Sequence, residues 1–371
     1  MYKQLIINPG STSTKIAVYE DEKPVFSESI THAPEELSVY DGINDQLPFR
    51  KELIEATLER EGIQISELSA IMGRGGLVPH LKTGGYIVND ELFYALGSDI
   101  ASPHASNLGG MLAKMLGDTE RIPAYIYDAV TSAELLPVAQ ITGIPDIVRQ
   151  SFCHVLNSRA MAIQYAGERG VKYEDLNLIV AHLGGGVTIS VHSNGTIIDS
   201  MGDDDGQFGP ERAGSVPGLE LIRMCYSGNY TRKDMEKKIR GKGGMYAHLG
   251  TSNAREIEKM IDEGDEHAAL IYHAQAYQIA KGIGLLSIVL KGKTDAVILT
   301  GGLSYSKRMT DMISEYIQFI APVVIMPGEH EMEALALGGL RILRGREEVR
   351  TYHLPKPDKK KPVWLHHVSQ R

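Results

Sequence analysis

Leu5-Ile6-Ile7-Asn8-Pro9-Gly10-Ser11-Thr12-Ser13-Thr14-Lys15-Ile16-Ala17-Val18-Tyr19, near the start of the chain, governs how the rest of it is read. A short apolar run, a polar tip with proline and glycine, and a second β-like run make a hairpin. The tip offers successive backbone N–H groups, several hydroxyls and one ammonium, a set suited to a multiply charged phosphate chain. It is not a Walker loop, because the Gly-x-x-x-x-Gly-Lys-Ser/Thr spacing is missing.

The pattern returns about 170 residues later. Leu178-Ile179-Val180-Ala181 leads into His182-Leu183-Gly184-Gly185-Gly186, Val187-Thr188-Ile189-Ser190-Val191-His192 returns as an alternating strand, and Asn194-Gly195 offers a tight turn. We read this as an internal duplication, one copy opening each of two domains. A third apolar run, Ala296-Val297-Ile298-Leu299, enters Thr300-Gly301-Gly302. Three glycine-rich turns, each following an apolar strand, are expected to converge on one nucleotide in a cleft between the domains. Helical periodicity over 49–61, 153–167, 254–263, 267–290 and 307–319, mixed with strands, implies α/β layers.

The 371 residues are too many for one ordinary core. The expected division is 1–148 and 149–334, with Pro145 near the boundary, and a helix at about 335–354 completing the first domain. The end, 355–371, reads as a loosely held basic tail. Hydrophobic residues at 43% and charged residues at 23% are globular values. A net charge of −9 argues against a nucleic-acid partner, since the only basic run lies in the tail and is broken by prolines. Cys153 and Cys225 have no metal-type spacing and fit a reducing compartment. The opening apolar run is too short for a signal peptide, and no stretch approaches the roughly 20 apolar residues of a membrane span. A cytoplasmic chain without a membrane partner is the expectation.

Ile7 to Lys15 resembles the Asn-x-Gly-Ser-Ser/Thr-Ser/Thr-x-Lys signature that opens the acetate and butyrate kinase family. His182 to Gly186 followed by Val187-Thr188-Ile189 is similar to that family's second signature. Asp199-Ser200-Met201-Gly202, Glu211-Arg212-Ala213-Gly214 and Thr300-Gly301-Gly302 fall where the family has its further turns. Departures from the acetate branch point to the butyrate branch: Asn-Pro-Gly-Ser-Thr-Ser at the first loop, and Gly185 where asparagine is usual. The resemblance implies two duplicated ribonuclease-H-like, actin-like ATPase domains around a nucleotide cleft. It also implies ATP/ADP and Mg2+ as cofactors, a short-chain carboxylate as substrate, and a homo-oligomer. The reaction would be reversible transfer between ATP and butyrate, with acetate, propionate or isobutyrate as alternative acids. An actin- or chaperone-like ATPase would keep the glycine loops but would not need two arginines facing an acid.

An aliphatic carboxylate, with a pKa of about 4, is already ionised at pH 7, so this chemistry needs no general base. The obstacle is repulsion between two anions, which cations and hydrogen-bond donors relieve. Arg74 and Arg212 both read as loop arginines, and a planar fork suits carboxylate or phosphate oxygens. The resemblance gives Arg74 to the acid and Arg212 to the transferring phosphoryl. Asp128, at the end of an apolar run, would orient Arg74 or join the Mg2+ shell. Glu331 matches the family's Mg2+-associated glutamate, with Glu329 and Glu333 as close rivals. His104 and His154 match histidines near the phosphoryl group, His104 on the acid's side together with Leu77-Val78-Pro79 and Pro103. Asn8 would lie nearest the reacting oxygens, with Ser11, Thr12, Ser13 and Lys15 lining the phosphate tip. His182, Gly184, Gly185 and Gly186 would serve the second loop, and Asn253, Arg255, Gly301 and Gly302 the adenosine. Asp203-Asp204-Asp205 reads as a solvated loop, because consecutive carboxylates point in different directions.

Overall fold

The computed structural model describes residues 1–355; the expected basic tail lies outside the described residues from 356 on. Two compact units divide the chain. The first holds residues 1–132, 137–150 and those from His330 onward, and the second holds 133–136 and 151–329.

In the first unit Lys3–Pro9 (β1), Ser13–Glu20 (β2) and Lys23–Thr31 (β3) form an antiparallel meander. Ala70–Arg74 (β4) pairs parallel to β1, Gly85–Ile87 (β5) is antiparallel to Ala124–Tyr127 (β6), and β6 is parallel to β4. In the second unit Leu178–Leu183 (β7), Val187–Ser193 (β8) and Thr196–Met201 (β9) form a second antiparallel meander. Ala296–Gly301 (β10) and Val323–Pro327 (β11) extend it in parallel on the β7 side. Arg350–Thr351 (β12) returns to the first sheet beside β5.

The sheet orders are β12-β5-β6-β4-β1-β2-β3 and β11-β10-β7-β8-β9. Taken from β6 to β3 and from β11 to β9, the five strands have one order and one set of directions. Even the irregularities recur, between Val18 and Tyr19 in one meander and between Val191 and His192 in the other. This is the mixed sheet of a ribonuclease-H-like domain, present twice.

Central strands β1, β7 and β10 are buried almost throughout because both faces are covered. In the second unit, helix Glu266–Ser287 covers one face with Ile271, Ala276, Ile279 and Ile283. Helix Val155–Glu168 covers the other with Met161, Ala162 and Tyr165. In the first unit, helices Leu47–Arg60 and Asn107–Glu120 pack one core with β1, β2 and β4. The second of these lies close to β4, since a Cβ on Gly109 would stand 2.7 Å from both Arg74 N and Arg74 O. Only a residue without a side chain permits that approach, and it fixes where Arg74 leaves the sheet.

The C-terminal helix departs from expectation. It spans Glu331–Leu343 rather than 335–354. Gly345 adopts φ +67°, with its N–H bonded to Ile342 O and the Arg346 N–H bonded to Arg341 O. That is a Schellman ending, and it frees the following residues to form β12.

Candidate active site

Register places the first cluster. β1 and β4 run parallel with Ile7 opposite Gly73, so Asn8 and Arg74 emerge side by side at the C-terminal ends of neighbouring strands. In α/β sheets that is where ligands collect. Glu331 joins them from the first turn of its helix, where a carboxylate is favoured by the helix dipole. Arg74 Nη1 donates to Glu331 Oε2 at 2.8 Å, and Arg74 Nη2 lies 2.7 Å from Glu331 Oε1. Arg74 Nη1 also donates to Asn8 Oδ1 at 3.1 Å, and Asn8 Nδ2 donates to Glu331 Oε2 at 2.8 Å. The fork is thus oriented by a carboxylate that another carboxylate could replace, and the Glu331 oxygens suit a hard cation. Arg74 is the last residue of a strand, not a loop residue as read from the neighbouring glycines.

The three rival glutamates go to different places. Glu333 pairs with His330 at 3.4 Å, Glu329 stands 3.9 Å from His182 Nε2, and Glu331 is the one bonded to Arg74 and Asn8. Asp128 is buried with φ +42°, and its Oδ1 accepts the Gly84 N–H at 2.7 Å. That bond suits a residue that positions the β5–β6 end of the sheet. His104 is exposed ahead of helix Asn107–Glu120, with Nδ1 2.7 Å from Ser106 Oγ. Asn107, which the sequence did not single out, joins the two loops expected to form the acid pocket. Its Oδ1 accepts the Leu77 N–H at 2.8 Å and its Nδ2 donates to Ser102 O at 2.9 Å.

At the first hairpin tip Ser11 and Thr12 are exposed and Ser13 half-buried, while Lys15 is exposed on β2 opposite Asn8. Beneath the tip lies a second residue the sequence did not single out, Arg50, which is fully buried. Its only sequence signal was a cation in an otherwise ordinary amphipathic helix.

The second unit carries a cavity of about 460 Å³, within the size range of small-molecule sites. Gly184, Gly185, Asn253, Arg255 and Gly302 line it as expected, together with Glu211, Glu258, Tyr305 and Glu329. Gly301 lies just behind, at φ +88°, where a Cβ would meet Leu183 O at 2.6 Å. Asn253 also caps its helix, accepting the Arg255 N–H at 3.1 Å.

Behind the glycine turn, His182 is buried and its ring stacks on His154 at 3.9 Å and 11°. His182 Nδ1 lies 3.1 Å from Asn157 Oδ1, and His154 Nδ1 lies 3.0 Å from Thr188 Oγ1. An amide oxygen can only accept, so His182 Nδ1 carries the proton and Nε2 is the acceptor in the neutral ring. Asn157 Oδ1 takes the Thr300 hydroxyl as well, at 3.2 Å, which ties β7, β10 and helix Val155–Glu168 together under the turn.

Arg212 lies in a loop and is ion-paired to Asp203, and a Cβ on Gly186 would collide with both. Burial, with Arg240 nearby, lowers the Arg212 pKa from its ordinary value. Asp203 is therefore not part of a solvated loop: it is buried, because its charge is met by Arg212 nine residues later. Asp204 pairs with Arg240 at 2.6 Å, and Asp205 accepts the Gly202 N–H at 2.7 Å, so the three carboxylates do diverge. Among the described residues no group of three or more His, Cys, Asp or Glu could hold a metal alone. Glu331, in the first unit, would be the protein's oxygen donor to a Mg2+ ion whose other oxygens come from elsewhere.

Comparison with known proteins gives a consistent outcome. A model of the acetokinase family matches residues 149–320. The probable butyrate kinase 2 of Caldanaerobacter subterraneus subsp. tengcongensis is 47% identical over 353 residues, spanning 95% of this chain and 100% of that protein. Butyrate kinase 2 of Clostridium acetobutylicum is 47% identical, over 95% of this chain and 99% of its own. Among solved structures, Porphyromonas gingivalis acetate kinase aligns with TM-score 0.77 at 18% identity, covering 92% of this chain and 100% of that one. At that identity the likeness concerns the fold alone.

Proposed function

The chain belongs to the acetokinase family, and from that membership and its site we infer that it is a butyrate kinase: it transfers a phosphoryl group reversibly between ATP and butyrate, giving ADP and butanoyl phosphate. The 47% identity to butyrate kinases along nearly the whole chain supports the acid. One geometric observation carries the chemistry, the convergence of Asn8, Arg74 and Glu331 at the ends of β1 and β4.

In this reading Arg74 holds the substrate carboxylate through its fork, and Asn8 donates to the reacting oxygens. The carboxylate attacks the γ-phosphorus, the bond to the β,γ-bridging oxygen breaks, and ADP leaves with that electron pair. Arg212 and His154 meet the transferring phosphoryl, His182 holds the second glycine turn, and the Ser11–Ser13 tip with Lys15 cradles the remaining phosphates. Gly184, Gly185, Asn253, Arg255 and Gly302 form the nucleotide side, which the cavity of the second unit supports, with Gly186 and Gly301 in the same turns. Asp128 positions, and His104 borders the acid. When bound on the nucleotide, Mg2+ neutralises phosphate charge, with Glu331 as its protein donor.

No described helix is long and apolar enough to cross a membrane. A cytoplasmic location is part of the proposal and rests on the kinase reading. Self-association is also proposed. Leu219, Ile222 and Tyr226 are exposed by 71%, 54% and 88% on or just after helix Gly218–Cys225, which supports it, and light scattering tests it.

The test of the reaction is trapping of acyl phosphate as hydroxamate from Mg·ATP with acetate, propionate, butyrate, isobutyrate and valerate. Butyrate is expected to lead, and Arg74→Ala to lower kcat/KM for the acid by about 100-fold or more. A lead for acetate would keep the mechanism and change the acid. ATP hydrolysis without acyl phosphate from any acid would overturn the kinase reading.

A further inference from the structure

We propose that Arg50 is a positioning residue that builds the phosphate cradle of the first hairpin tip and holds a positive charge beneath it. The proposal rests on the reading of that tip as the phosphate site. The Arg50 side chain is fully buried, and it reaches the tip from helix Leu47–Arg60. Nη1 donates to Gly10 O, Ser13 O and Thr14 Oγ1, each at 3.0 Å, and Nη2 donates to Ser11 O at 3.2 Å. Nε and Nη2 share Gln46 Oε1 at 3.1 and 2.8 Å. The remaining tip carbonyl, Thr12 O, accepts the His32 N–H at 2.9 Å.

All four carbonyls from Gly10 to Ser13 are thus engaged from inside the protein. A carbonyl oxygen turned outward would repel a phosphate. The N–H groups of Ser11 and Thr12, by contrast, have no acceptor among the described residues. The arrangement is a preformed concavity of donors.

The charge matters as well as the geometry. Every acceptor of Arg50 is a neutral oxygen, and burial lowers its pKa. Among the described residues no carboxylate is bonded to the cation, so its field extends to the tip. A purely structural residue would not need that charge, whereas an anion site gains from it.

Isothermal titration of ATP and of adenosine separates the two roles, because adenosine lacks the phosphates. Arg50→Lys keeps a charge but loses the fork. Gln46→Glu keeps the acceptor but cancels the charge, so it tests the electrostatic half even if the lysine variant does not fold. We expect Arg50→Lys to weaken ATP about tenfold or more and Gln46→Glu to weaken it several-fold, with adenosine unchanged in both. Unchanged ATP affinity in both variants, or equal loss for ATP and adenosine, would overturn the inference. If instead the unmodified protein bound ATP no better than adenosine and formed no acyl phosphate, the underlying kinase reading would fail.

Discussion

Glu331 has two calls on its oxygens, since it is bonded to Arg74 and Asn8 and is also the protein's donor for nucleotide-borne Mg2+ in our reading. Glu331→Gln separates these demands. The amide can still accept from Arg74, but it loses the charge that attracts a hard cation. The Mg2+ concentration for half-maximal rate should rise about tenfold, with a smaller change in KM for butyrate. An unchanged Mg2+ requirement would leave Glu331 only as the residue that orients Arg74. Sequence could not choose among Glu329, Glu331 and Glu333, because all three sit in one short turn with the same local signal. Partners from β1 and β4, more than 250 residues away, single out Glu331 as the one that meets Asn8 and Arg74.

Among the elements, β8 carries a titratable group that has nothing to do with transfer. His192 is fully buried, with Nδ1 2.7 Å from Tyr173 OH and Nε2 2.8 Å from Ser190 Oγ. Burial above all, with Arg159 nearby, pushes its pKa down to about 3. The unfolded chain, with an ordinary histidine near 6.5, binds the proton more readily. The stability this group contributes is therefore complete above pH 6.5 and is lost as pH falls toward 3, by up to a few kcal/mol. Urea midpoints at pH 7 and pH 4.5 should fall less in His192→Gln than in the unmodified protein. Equal falls would mean that His192 is protonated in the fold.

The elements themselves were mostly legible. Each hairpin is a local pattern of strand, glycine tip and strand, and helices expected over 49–61 and 307–319 appear as Leu47–Arg60 and Lys307–Ile317. The overlong C-terminal helix was a misreading of a visible signal, since Gly345 marks its end.

At the scale of the whole molecule, each unit has its own core, and the residues we propose for adenosine all lie in the second. Adenosine should therefore register in one of them. Hydrogen exchange should slow in β7, β10 and helix Ala254–Asp262, by up to about 100-fold at a hundred times Kd, and stay unchanged in β1 and β4. Equal protection of β1 and β4 would show that the cavity of the second unit is not the adenosine site. The sequence alone determined the duplicated α/β architecture, the two glycine tips and the family, because strand periodicity and turn chemistry act over a few residues. Tertiary structure alone decided that Glu331 meets Arg74, that Asp203 is buried against Arg212, and that Arg50 lies under the first tip. The reason is physical: a charge is stable out of water only where partners meet it, and those partners are brought by folding from distant parts of the chain.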